Sequence, residues 1–304
     1  MSWDRHENDR ESSRLGWYFP KFMLVIFNPT AGSRRRRRLA RALVVLGPLA
    51  EFAETSGPGD ARRIAAVAAA EGHGCVVAAG GDGTIAEVAA GLMGSRTALG
   101  ILPFGTANVL ALELGLPPDP EGAARVIQAG REALIYPGIT GERLFVQMLG
   151  AGFDAAVVQH LPPGLKRRIG KAAYVWQTLR ELARHEFRPL RFSADDGAWE
   201  EASSLIVTKG RLYAGNHLVA PGASPLEPGF TLVIQRRGGR GLAFLAGAAM
   251  PLNLMHRLPF MELRRCATVS LAGEGVLTQC DGDVGPALPV TITDAPRPLA
   301  IRIP

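Results

Sequence analysis

The chain has 304 residues, 47% hydrophobic and 20% charged, too apolar for a disordered chain and long enough for two domains with real cores. Lys and Arg number 34 against 28 Asp and Glu, a formal excess of +6 that suits an anionic partner without selecting one. Three cysteines at no metal-ligand spacing argue against a disulfide framework and against a zinc site.

Residues 1–20 are polar and charged, with no apolar core of a signal peptide, and are read as an extension ahead of the fold. The first element is MLVIF at 23–27, a short and wholly apolar run expected of a parallel strand buried on both faces. It ends in NPTAGS, followed by an Arg-rich helical stretch whose Arg34–Arg38 run is expected to be a solvated face. ETSGPGD at 54–60 precedes a helix. The strand CVVAAGG at 75–81 runs into Gly-Asp-Gly-Thr and a third helix. ALGILP at 98–103 then ends in FGTAN and leads to a helix closed by Pro117-Pro118. Strand, loop and helix in repetition predict an α/β domain with a parallel sheet over 21–137. From 138 to 289 the pattern is mainly β, with segments such as RPLRFSA, SSLIVTKG, FTLVIQRR and ATVSLAG, one helix near 165–187, and a helix expected between strands at 242–258. This predicts an antiparallel β-sandwich domain, with 290–304 returning to the first domain. The longest apolar stretch, 242–255, is too short to span a membrane and is broken by Pro251. A cytoplasmic protein, at most peripherally attached to a membrane, is expected.

Loops after parallel strands gather at the carboxyl edge of the sheet, where ligands bind. Three such loops here are small and rich in donors: Asn28-Pro29-Thr30-Ala31-Gly32, Gly80-Gly81-Asp82-Gly83-Thr84 and Phe104-Gly105-Thr106-Ala107-Asn108. Glycine admits close backbone approach, and N–H groups at the following helices attract phosphate. Asp82 would repel phosphate unless a Mg²⁺ lies between them, because hard cations bind both. The pattern therefore points to a nucleotide site with a metal. Neither a P-loop nor a Rossmann fingerprint is present.

Taken in order, the blocks IFNPTAG, ETSGPGDA, VAAGGDGTIAEVAAGL, GILPFGTANVLALELGLP, IGKAAYVWQTL, YAGNHLVAPGA and TQCDGD resemble the diacylglycerol kinase catalytic-domain family, in particular its small bacterial lipid kinases. The resemblance covers about 22–304 and implies an active site in the cleft between the two domains. It implies ATP contacts from Asn28, Pro29, Thr30, Ala31, Gly32, Thr55, Gly80, Gly81, Asp82, Gly83, Thr84, Ile85, Ala86, Thr106 and Asn108. Asp82 would hold the Mg²⁺–phosphate assembly, and Asp283 would be the base that takes a proton from a lipid hydroxyl. A second magnesium site would fall on Ser224, Glu227 and Gly229. Three positions depart from the family pattern. Asp283 stands where Glu is usual, Glu227-Pro-Gly replaces an Asp-Gly, and Ala86 replaces an Asn while Glu87 is kept.

The expected activity is transfer of the ATP γ-phosphoryl group to the hydroxyl of a diacylglycerol-like or sphingoid lipid. An NAD kinase-like enzyme shares GGDGT, but this chain lacks any Asn-Glu pair. A catalytically weak nucleotide sensor of the same fold is the non-enzyme alternative. Eight basic and two acidic residues lie between 163 and 191, with apolar residues at helical spacing, so an anionic membrane surface is the expected docking partner. A homodimer is left open. Nucleic acid is not expected, since the aromatic residues do not interleave with the basic ones.

Overall fold

The computed structural model describes residues 23–29, 33–162 and 171–304. Its first domain alternates β1 (Met23–Phe27), α1 (Ser33–Leu46), β2 (Ala50–Glu54), α2 (Asp60–Ala70), β3 (Cys75–Gly80), α3 (Asp82–Leu92), β4 (Ala98–Pro103), α4 (Val109–Glu113), α5 (Pro120–Ala129) and β5 (Glu132–Ile135). Alternation of side chains along each strand fills both faces of the sheet. Leu24 and Ile26 of β1, with Val76 and Ala78 of β3, pack against Ala61, Ala65, Ile85 and Val88 of α2 and α3. Val25, Phe27, Val77 and Ala79 pack against Leu39 and Ala42 of α1 and Ile127 of α5. Helices on both faces leave the strand ends as the open edge.

The second domain contains β6 (Gly138–Thr140), β7 (Arg143–Phe145), β8 (Met148–Gly152), α6 (Phe153–Gln159), α7 (Lys171–Arg184), β9 (Leu190–Ala194), β10 (Glu200–Ala202), β11 (Ser204–Thr208), β12 (Leu212–Tyr213), β13 (His217–Leu218), β14 (Phe230–Gln235), α8 (Arg240–Ala249), β15 (Met261–Cys266), β16 (Val269–Ala272), β17 (Thr278–Cys280), β18 (Asp283–Val284) and β19 (Val290–Asp294), and is followed by β20 (Leu299–Arg302). Two six-stranded antiparallel sheets, β10-β9-β16-β19-β6-β7 and β15-β14-β11-β8-β17-β18, face each other. Between them lie Phe145, Phe192, Leu205, Val207, Phe230, Leu232 and Ile292. The opposite face of the second sheet is also apolar, with Met148, Ile206 and Val233 turned toward α8.

The chain returns to the first domain later than the sequence suggests. Strand β19 stays in the sandwich, paired with β16 and β6. The return is β20, inserted between β4 and β5 to complete the order β2-β1-β3-β4-β20-β5. Val290 and Ile292 alternate as sandwich residues, and hydrophobicity alone does not distinguish the two sheets. Helix α6 is a further correction. The run through Phe153 continues the β8 pattern, but Gly152 at φ 97° breaks it and FDAAVVQ turns helical. The segment 163–170, within the expected basic helix, lies outside the described residues, as does the 1–20 extension.

Candidate active site

The ends of β1, β3 and β4 meet. Asn28 Nδ2 donates to Thr84 Oγ1 at 3.3 Å, and Asn28 N to Ala79 O at 3.2 Å. The GGDGT and FGTAN loops are pressed together: a methyl group on Gly105 would stand 2.5 Å from Gly81 Cα, so no side chain fits there. Asp82 binds these loops. Its Oδ2 accepts from Asn108 N at 2.9 Å and its Oδ1 from Val109 N at 2.6 Å, satisfying donors at the start of α4. A carboxylate oxygen can accept more than one hydrogen bond or metal contact. Glu87 does the same for the neighbouring loop, with Oε1 3.0 Å from Gly59 N and Oε2 3.2 Å from Ala61 N, seating 57–59 on α3.

Not every residue expected to contact ATP turns its side chain into the cleft. Ile85 is fully buried in the core, and its N–H donates to Gly81 O at 3.0 Å. Gly80 is buried, and a Cβ there would collide with Thr84. Asn108, at φ 50°, spends its amide on its own loop, accepting from Gly105 N at 2.8 Å and donating to Gly105 O at 3.0 Å. Gly80 and Asn108 shape the edge without lining the cleft, whereas Ile85, though buried, borders it. Asn28, Thr55, Gly81, Asp82, Gly83, Thr84, Ala86 and Thr106 line the cleft, and Pro29 adjoins Asn28. Thr30, Ala31 and Gly32 lie outside the described residues.

From the sandwich side, the two-residue turn Asp281-Gly282 joins β17 to β18, both residues at positive φ (49° and 83°), as an Asp-Gly hairpin turn requires. The turn sends the two aspartates to different sides. Asp281 points inward and accepts from Val146 N, Gln147 N and Met148 N at 2.7, 2.9 and 2.9 Å. Burial pushes its carboxyl up to about 6, assisted by the charge of Asp82 and opposed by the three amides. Asp283 faces outward over the nucleotide loop, with Oδ2 3.5 Å from where a Cβ on Gly83 would stand and 3.9 Å from Arg143 Nη2.

These groups border one cleft of about 1380 Å³ that both domains line. One end is the glycine-rich edge. The other is apolar, walled by α6, α7 and α8 and floored by the sheet, with Val157, Leu182, Ile206, Val233, Met250 and Met261 on its surface. Between them are polar residues that no sequence pattern revealed. Asp154 is half-buried, and its desolvation pushes the carboxyl up to about 6, while Gln279 Nε2 donates to its Oδ2 at 2.9 Å. Tyr213 donates its hydroxyl to Asp154 Oδ1. Gln279 Oε1 accepts from Gly282 N at 2.8 Å, tying this acid to the hairpin that carries Asp283. Gln147 is buried, and its side-chain amide finds no hydrogen-bond partner among the described residues.

The second metal site does not assemble on Ser224, Glu227 and Gly229. Glu227 Oε2 pairs with Arg265 Nη1 at 2.9 Å, and Ser224 O accepts from Glu227 N at 3.2 Å. Gly229 O accepts from the Lys209 ammonium at 2.6 Å. A carboxylate held by a guanidinium and a carbonyl held by an ammonium do not fit a metal ion.

The model of the diacylglycerol kinase catalytic domain matches residues 22–136, and that of the YegS C-terminal NAD kinase β-sandwich-like domain matches 147–303. The chain belongs to the diacylglycerol kinase family. It is 30% identical over 300 residues to a Pseudomonas aeruginosa protein named "Probable lipid kinase YegS-like", covering 93% of this chain and 94% of that one. A Pseudomonas putida protein of the same name is 27% identical over 291 residues, with 93% and 95% covered. Its fold matches the crystal structure of a diacylglycerol kinase from Bacillus anthracis str. Sterne, with a TM-score of 0.71, 18% identity and coverage of 93% and 97%. As a member of this kinase family the chain is an enzyme. Its α/β and sandwich domains are the two matched halves.

Proposed function

We propose that this kinase transfers the γ-phosphoryl group of ATP to the hydroxyl of a membrane lipid, diacylglycerol-like or sphingoid. One observation carries the reading: a single cleft joins the glycine-rich edge to an apolar cavity, and Asp283 stands at the junction. Phosphoryl transfer asks mainly for positioning and neutralisation of charge. The loops at Gly81–Thr84 and Gly105–Thr106 would receive the nucleotide phosphates. Mg²⁺ takes one or two carboxylates and completes its shell with phosphates and water. Asp82 would hold it, and the ion would neutralise charge developing on the transferred group. Asp283 is placed to accept the lipid proton as the new O–P bond forms, with Arg143 beside it as a cation for the transferring phosphate.

The lipid would enter from an anionic membrane. No described helix is long and apolar enough to cross a bilayer. Val175 and Leu179 of α7 and Phe244 of α8 line the cavity and are also 63%, 57% and 59% exposed, so they form its lip. Trp176, Leu245 and Leu252 extend the apolar surface, with Arg180, Arg184 and Arg240 exposed nearby. This face suits an interfacial docking surface, where each basic residue adds about 1 kcal/mol near anionic lipid. The expected basic surface at 163–191 thus gains a partner in α8, a segment that sequence patterning left as a plain connector.

The test is purified protein with labelled ATP and a mixed lipid extract, products identified by mass, with an NAD arm beside it. A phosphorylated lipid lost in Asp283→Asn, with ATP binding retained, is expected. No labelled lipid from any class, or label on NAD, would overturn the reading. Leu252→Glu, outside the cavity lining, should reduce co-sedimentation with anionic vesicles while leaving a short-chain soluble lipid as good a substrate as before. Unchanged sedimentation removes the docking face alone.

A further inference from the structure

The two segments that join the domains, 136–137 and 295–298, run side by side. Asp294 pairs with Gly138 across β19 and β6, and Ala295 N donates to Pro137 O at 2.8 Å. The loop before β14 closes over this junction, since Tyr136 N donates to Pro225 O at 3.0 Å. Into it reaches Lys209, whose side chain is fully buried. Its Nζ lies 2.6 Å from Asp294 Oδ1, 2.6 Å from Gly229 O and 4.5 Å from the centre of the Phe230 ring. The other oxygen of Asp294 accepts from Gly229 N at 2.6 Å. A carboxylate and a backbone carbonyl converging on one point are the oxygen donors that a hard divalent ion uses. Here the cation between them is covalently part of the chain.

We propose that the Lys209 ammonium is a built-in cation at the interdomain junction, filling from within the role that the resemblance assigns to a bound divalent ion on the 224–229 segment. Glu227, the carboxylate of that segment, is turned to Arg265, a cation that also repels the ammonium, and among the described residues no carboxylate besides Asp294 bonds the ammonium. The ring of Phe230 adds its negative face to the same cation. The backbone of Lys209 continues the link toward the cleft. Its N–H donates to Gln147 O at 2.8 Å, and Gln147 N in turn holds Asp281. Two residues on, Arg211 Nε and Leu212 N bond Glu113 at the end of α4, the helix whose first amides hold Asp82. The ammonium therefore fastens the strand end that touches the supports of both active-site carboxylates. Domain placement then needs no divalent ion at this junction.

The test uses thermal unfolding of the full chain without nucleotide, so it is independent of the kinase reading. The wild-type midpoint should not respond to millimolar Ca²⁺ in any way that Glu227→Gln alters. Lys209→Met leaves Asp294 and the Gly229 carbonyl without their cation, and its midpoint should fall by about 5 °C or more. Ca²⁺ should restore at least half of that loss, and should restore none in Lys209→Met/Asp294→Asn. Amide exchange at Ala295 and Gly229 should accelerate in the single variant and slow again with Ca²⁺. A wild-type Ca²⁺ stabilisation abolished by Glu227→Gln would overturn the proposal, because a metal would then bind despite the ammonium. So would a Lys209→Met protein indifferent to Ca²⁺. If Lys209→Met does not fold, the wild-type and Glu227→Gln titrations still decide.

Discussion

The cleft and the interdomain junction handle buried polarity in opposite ways. At the junction each charge is answered from within the chain: Lys209 by Asp294, Glu227 by Arg265, the Gly229 carbonyl by the ammonium. In the cleft the Gln147 amide has no partner among the described residues, Asp154 is half-buried with its carboxyl pushed up to about 6 by desolvation, and Asp283 faces solvent. Buried polar groups without full satisfaction cost stability and are retained where a ligand completes them. Both regions were candidate cation or phosphate sites on their residue types. The geometry separates the one awaiting a ligand from the one that supplies its own.

The sharpest way to break this contrast is at Asp82. Asp82→Ala removes the carboxylate proposed to face the nucleotide phosphates and also the two hydrogen bonds at the start of α4. Turnover should fall by about 10³-fold, on the scale of losing a preorganised electrostatic group. The cap itself accounts for only about 1 kcal/mol of stability. Steady-state assay beside urea unfolding separates the two. Turnover reduced less than tenfold would mean that Asp82 is a capping residue and nothing more.

Asp154 gives the next largest effect. Its folded carboxyl, at about 6, lies above the ordinary 3.8, so the native state binds the proton more tightly than the unfolded chain. The associated stabilisation is present below about pH 4 and is lost as pH rises through about 6, a difference of roughly 3 kcal/mol at about 1.4 kcal/mol per pH unit. Asp281 titrates upward in the same window. Asp154→Asn should therefore shallow the fall of stability between these pH values without removing it. Urea midpoints across that range test this, and an unchanged slope would show that Asp154 carries no such penalty.

Gln147 follows. Its unpartnered buried amide costs about 1–3 kcal/mol. Gln147→Met, of similar length and without the amide, should raise the unfolding free energy by about 1 kcal/mol while lowering kcat/KM for the lipid. A variant both less stable and fully active would show that the amide is satisfied in solution and has no ligand to meet.

How much of this was legible follows from the kind of signal involved. The strand-loop-helix repeats are local, and GGDGT and FGTAN announce themselves by glycine and small donors, so the α/β domain and its edge could be read directly. The β segments gave the sandwich. What stayed hidden is pairing at long range. That Asp82 caps α4 depends on Gly81 and Gly105 touching, and that Asp281 turns inward depends on β8 lying beside β17. Asp154, Tyr213 and Gln279 come together from a helix and two separate strands, with no spacing to mark them. The metal segment failed for a related reason: Lys209 and Arg265 are distant in sequence from Glu227 and Gly229, and only folding brings them to the same oxygens.

The smallest expected effect tests the other half of the contrast. Glu227 and Arg265 are more than half exposed, so their ion pair is screened by water and contributes about 0–1 kcal/mol. Glu227→Gln should shift stability by less than about 0.5 kcal/mol and leave phosphorylation of lipid unchanged at every Mg²⁺ concentration, because the ion carried with ATP is held elsewhere. A metal ligand would behave differently. Its loss would raise the Mg²⁺ concentration needed for half-maximal rate, typically by tenfold or more even for a supporting group. A Mg²⁺ titration of the two proteins side by side therefore reads the segment directly. A right-shifted curve for Glu227→Gln would return 224–229 to the metal and leave the cleft and the junction physically alike.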